Sequence, residues 1–217
     1  MRIGKFFGIL VLGGILLVSG CTTMGRHDPK LLASTDFGPP ATVRICALLD
    51  EGISRQEAEQ LLSRAWQEDG RRYGIRFEIP LASPWKRTGF TYHGIIFRVI
   101  ERPLPPSCDR MLAFVGRHAG DALWGAMPFA VEYLGAVHMA TGTHGFVVAR
   151  MMTAAQYSSP PAEVLNHELH HLLGCYEHSD MPACYKRIAE TKRAARESQG
   201  DFFPSWFGGD PPVIITK

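Results

Sequence analysis

The chain has 217 residues, of which 46% are hydrophobic and 20% charged, with 15 Pro and 22 Gly, a balance that excludes disordered and collagen-like proteins and suits one compact domain. The formal charge of +2 disappears once Arg2 and Lys5 of the first twenty residues are set aside, so there is no electrostatic case for nucleic acid. Only Phe6 to Val18 approaches membrane length, and 13 residues are too few for a helix to span a bilayer core, which excludes an integral membrane protein.

Arg2 and Lys5 precede this apolar run, which ends at Val18-Ser19-Gly20-Cys21-Thr22-Thr23, small residues of the kind a signal peptidase needs. The segment resembles the lipobox of bacterial lipoproteins. The resemblance implies that residues 1–20 are a lipoprotein signal peptide cleaved before Cys21, with a diacylglycerol on the Cys21 sulfur and an acyl chain such as palmitate on its new amine. Several acyl chains make a stable membrane anchor. Thr22 stands where an Asp would resemble an inner-membrane retention signal, which points to the outer membrane of the cell envelope. An ordinary secretory signal with an incidental Cys21 is the alternative. Export permits disulfides, and Cys46, Cys108, Cys175 and Cys184 then allow three pairings. Cys175 with Cys184 and Cys46 with Cys108 is the favoured set, and four buried free thiols the alternative.

Residues 21–40 are polar and broken by Pro29, Pro39 and Pro40, which reads as a tether, leaving 41–217 as the domain. Val43, Ile45, Ala47 and Leu49 alternate as a strand. Ser54 and Glu57 form a capping-box pair ahead of Ala58, Leu61, Leu62, Ala65 and Trp66, the pattern of an amphipathic helix ending near Gly70 or Gly74. Ile75, Phe77 and Ile79 alternate as a second strand that Pro80 closes. Ile95 to Ile100 is β-rich, Pro103 to Pro106 forces a loop, and Met111 to Val115 suits a buried strand. Val131 to Met139 and Gly145 to Arg150 are two more strand candidates. Ser158, Ser159, Pro160, Pro161 and Glu163 open a helix that runs to Gly174, and a charged helix follows from about Tyr185 to Ser198.

The helix opened at Pro161 contains His167-Glu168-Leu169-His170-His171, an HExxH pattern. Four residues on a helix bring two side chains back to within about 40° of each other, so His167 and His171 can reach one zinc ion. Glu168 sits beside that face, where its carboxylate can accept a proton from a polarised water without being a ligand. Leu165, Leu169, Leu172 and Leu173 supply the opposite, packing face. His170, about 60° off the ligand face, reads as a polar flank.

Zinc needs at least one more protein ligand, and Gly174 can turn the chain back toward it. Here the sequence resembles the metzincin metallopeptidases, with their HExxHxxGxxH pattern and a following turn that carries a Met under the metal. Residues 167 to 174 fit. The third-ligand position then holds Glu177, with His178 one residue later, and Ser179-Asp180-Met181 resembles the Met-turn. His178 is preferred as third ligand because an imidazole keeps the full metal charge available to water, and Glu177 is the alternative. The resemblance implies an α+β fold: a mixed twisted sheet with a backing helix from Ser54 to about Arg72, a zinc-binding active-site helix and a small C-terminal lobe. It also implies that the segment from Val131 to Gly145 is the sheet edge that receives substrate. Two lesser candidates have plainer readings: Tyr185 as a core or surface residue rather than an oxyanion donor, and Phe202, Phe203, Trp206 and Phe207 as an aromatic cover over the core.

The function expected from these readings is a lipid-anchored zinc endopeptidase acting on a peptide or protein substrate, with metal ligands His167, His171 and His178 and with Glu168 as general base. It contacts the membrane through its N-terminal lipid, and its oligomeric state is open. The alternative is a non-catalytic envelope lipoprotein with a structural zinc and a partner-binding sheet edge.

Overall fold

The computed structural model describes residues 27–88, 94–125, 133–150, 159–176 and 180–197. The signal segment, Cys21, Glu177, His178 and the aromatic group at 202–207 lie outside the described residues. Five strands, β1 (Ala41–Leu49), β2 (Ile75–Pro84), β3 (Arg110–Val115), β4 (Gly135–Val137) and β5 (His144–Val148), form one sheet in the order β2-β1-β3-β5-β4. All pairings are parallel except β4 with β5. The helices are α1 (Pro29–Ser34), α2 (Arg55–Tyr73), α3 (Ile95–Ile100), α4 (Ala119–Gly125), α5 (Pro161–Leu172) and α6 (Met181–Glu197). The fold is thus a mixed arrangement of α-helices and a mostly parallel sheet. No helix among the described residues is long and apolar enough to cross a membrane.

Alternation along the strands assigns the two faces of the sheet. Val43, Ile45, Ala47, Leu112, Phe114 and Val147 face one core with side chains of α2, α5 and α6. Cys46, Leu48, Met111, Ala113, Phe146 and Val148 face the other, closed by Trp85 and by Ile95 and Val99 of α3. Both predicted disulfides are present. Cys46–Cys108 joins β1 to the residue pair before β3, and Cys175–Cys184 joins the chain after α5 to α6.

The capping box at Ser54 forms as the sequence indicates, and α2 ends on Gly74 in the left-handed conformation. Other elements differ from expectation. Ile95 to Ile100 is helical, because Ile95 and Val99, one helical turn apart, are both buried while Phe97 is exposed; packing overrides the β preference of the residues. Pro80 does not end β2. The register with β1 slips between Arg44 and Cys46, so β2 carries an extra residue there, and a proline without an N–H is tolerated on this outer strand. The final helix begins at Met181, with Asp180 Oδ1 accepting the Ala183 N–H as its cap. Met181, Cys184, Tyr185 and Ile188 of α6 belong to the main core.

The stretch expected to be a polar tether is structured from His27 onward. Asp28 caps α1. Phe37 is buried, its ring 5.0 Å from that of Tyr73 and 6.1 Å from that of Tyr185. His27 bridges Tyr185 Oη, 2.9 Å from Nδ1, and Asp69 Oδ1, 2.8 Å from Nε2. Truncating a buried aromatic side chain removes transfer energy and leaves a cavity. Phe37→Ala is therefore predicted to lower unfolding stability by about 3 kcal/mol. Urea denaturation checks this, and an unchanged midpoint would mean that the segment is not docked in solution.

Candidate functional site

Helix α5 starts on prolines, with Pro161 as its first residue and Glu163 in the first turn, where a fixed φ and a negative charge both favour a helix N-terminus. Leu165, Leu169 and Leu172 are buried against the sheet. Its far end is closed by a Schellman motif: Gly174 takes φ 93°, its N–H donates to His171 O at 2.9 Å, and the Cys175 N–H donates to His170 O at 3.0 Å. The remaining carbonyl, that of Leu172, accepts from Nε of Arg110 at 2.8 Å. Arg110 is fully buried at the start of β3, a charge placed where the helix dipole is negative.

This closure aims the histidines. His171 Nδ1 lies 2.6 Å from the carbonyl oxygen of Cys175, which can only accept, so Nδ1 carries the proton and Nε2 presents a lone pair. That Nε2 is 3.0 Å from Nε2 of His167, and the rings stand nearly perpendicular with centroids 4.6 Å apart. Two nitrogens bound to one tetrahedral zinc at about 2.0–2.1 Å would be about 3.3 Å apart. The pair therefore fits two corners of such a site, with the backbone hydrogen bond that commonly orients a metal-ligating imidazole.

Glu168 is buried beside this pair. Its Oε2 has no hydrogen-bond partner among the described residues, and burial pushes its carboxyl up to about 8. Strand β4 passes against it: a Cβ placed on Gly135 would meet Glu168 Oε1 at 2.8 Å and Val164 Cγ1 at 2.9 Å. Only glycine allows this approach. Leu134 O accepts from Val148 N and His138 N donates to His144 O, so the backbone groups of Gly135 and Val137 point away from β5 at the outer edge of the sheet.

His170 is not a polar flank. It is fully buried on the other side of the helix, Nδ1 donating to Asn166 O at 2.8 Å and Nε2 accepting from Tyr73 Oη at 3.1 Å. The Asn166 amide in turn donates to Asp69 Oδ2 at 2.8 Å. Burial raises the Asp69 carboxyl, but hydrogen bonds from His27, Asn166 and Arg72 and the nearby His170 outweigh it and hold the group well below the usual range. Tyr185 is a core residue, its hydroxyl engaged by His27 and by the Asp28 N–H. His138 and His144 do not form a second pair: His138 faces Thr141, and His144 faces Thr143 and Arg102 O.

No family model matches the chain, and no curated protein matches it. The resemblance to metzincins is corrected by these findings. Among the described residues no three His, Cys, Asp or Glu side chains gather into a group able to hold a metal, and His167 and His171 stand as a pair. Met181, read from the sequence as part of a Met-turn, is instead the buried first residue of α6, because Asp180 and Pro182 supply helix-start chemistry around it.

Sequence reading missed two residues that shape the site, Gly135 and Arg110. Neither belongs to a local motif, and their roles arise only when β4 and β3 meet α5. Adding one methyl at Gly135 must displace Glu168 or the strand, and overpacking of this kind costs about 1–3 kcal/mol. Gly135→Ala is predicted to lower thermal stability accordingly. A melting temperature equal to that of the parent protein would contradict the close approach.

Proposed function

We propose that the chain is a zinc-dependent peptide hydrolase, with His167 and His171 as two of the ligands and Glu168 as general base. The observation that carries this reading is the convergence of the two Nε2 atoms beside a buried carboxylate oxygen without a partner. A zinc ion, when bound, supplies the positive charge that acidifies water and polarises a carbonyl. Glu168 takes the proton of the attacking water on Oε2 and passes it to the departing amine.

The outward backbone groups of Gly135 and Val137 can receive an extended peptide as an added strand, and the contact between Gly135 and Glu168 brings that edge beside the base. We assign the third ligand to His178, with Glu177 the alternative. A structural zinc site, the alternative function, would have no use for a buried carboxylate held open in this way. The same proposal anchors the protein in the outer membrane through acylated Cys21.

Glu168→Gln is expected to reduce cleavage of a peptide library by at least a thousandfold while zinc binding persists, whereas His178→Ala should weaken zinc binding about tenfold or more. Turnover retained in the glutamine variant would remove Glu168 from its role. Cys21→Ser is expected to abolish both acylation, read by mass spectrometry, and partition into the membrane fraction. A serine variant still held in the membrane would overturn the anchor.

A further inference from the structure

We infer that the Cys175–Cys184 disulfide is a positioning element for His171, locking its tautomer through the Cys175 carbonyl. Cys175 is held at two points, by its N–H on His170 O and by its sulfur on Cys184. Cys184 in turn sits in the first turn of α6, its N–H on Asp180 O at 3.1 Å. The Schellman closure alone leaves the Cys175–Tyr176 peptide free to rotate about ψ of Cys175, because both of its hydrogen bonds lie on the N-terminal side of that bond. The Cys175–Cys184 bond closes a covalent ring through the chain between the two cysteines, and that ring contains the Cα–C bond of Cys175, so the rotation is restricted with the carbonyl 2.6 Å from His171 Nδ1. The imidazole must then protonate on Nδ1, which keeps the Nε2 lone pair turned toward His167. Cys46–Cys108 is buried against the other core and touches none of these groups.

The tautomer lock stands on the geometry of Cys175 and His171, and its consequence for metal affinity rests on the zinc reading. The two are separated by measuring both in the full-length protein. Long-range proton–nitrogen NMR of ring-labelled histidine, with His171 assigned through His171→Gln, reads the tautomer without metal, and competition with a chromophoric chelator reads zinc affinity. In the native protein His171 is expected to be a single Nδ1–H species. In the Cys175→Ser/Cys184→Ser variant, and in native protein reduced with dithiothreitol, it should become a mixture of tautomers, with zinc affinity reduced about tenfold or more. Cys46→Ser/Cys108→Ser should leave both readings unchanged.

A single Nδ1–H tautomer after loss of the Cys175–Cys184 bond would overturn the lock. So would collapse of the whole fold, by near-UV circular dichroism, in both the serine variant and the reduced protein, since the bond would then be merely structural. A tautomer change in a protein that binds no zinc in any form would support the lock and overturn the zinc reading.

Discussion

Helix α5 puts polar side chains into the interior, and a buried polar group left unpaired costs about 1–3 kcal/mol. Much of the surrounding structure answers that constraint. Arg110 reaches from β3 to the last free carbonyl of the helix, Tyr73 and Asn166 satisfy both nitrogens of His170, and the Cys175 carbonyl takes the proton of His171. Glu168 keeps one oxygen without a hydrogen bond among the described residues, with the glycine of β4 pressed against the other. A buried carboxyl oxygen kept without a partner is a store of unfavourable energy, and such stores concentrate where chemistry is done.

The buried network also explains why the N-terminal segment docks. Asp69 is a nearly inaccessible carboxylate whose charge is supported by Arg72 from within α2 and by His27 from the segment before α1. His27 and Phe37 close over Tyr73 and Tyr185, so the residues before β1 act as a cover over the junction of α2, α5 and α6.

What could be read from the sequence was what is encoded locally. The Ser54–Glu57 box, the alternation in β1 and the run of leucines behind the HExxH pattern depend on spacings within one element, while an even number of cysteines after Cys21 indicates two bonds and leaves three pairings open. Ile95 to Ile100 was illegible because its composition favours a strand while its buried pair, Ile95 and Val99, is set by the core it meets. The placement of Met181 failed for a related reason: the resemblance drew attention to a turn, although Asp180 and Pro182 already marked a helix start. His27 and Phe37 look like ordinary residues of a proline-broken stretch, and only the aromatic surface of Tyr73 and Tyr185 gives them a place. Gly135 and Arg110 act across elements distant in the chain, where periodicity has nothing to say.

The sheet topology has a consequence for how the protein is made. Strand β1 lies between β2 and β3, both encoded after it, so an interior strand of the sheet comes first in the chain and waits for its neighbours. Such non-local parallel pairing is slow, and an apolar strand without its partners is prone to aggregate in the interval. The cysteines offset this. Cys46 is bonded to Cys108, 62 residues on, and Cys175 to Cys184, nine residues on, so the four cysteines after Cys21 pair in chain order. Oxidation in chain order would join β1 to the start of β3 first and reach the native pairs without exchange between wrong ones.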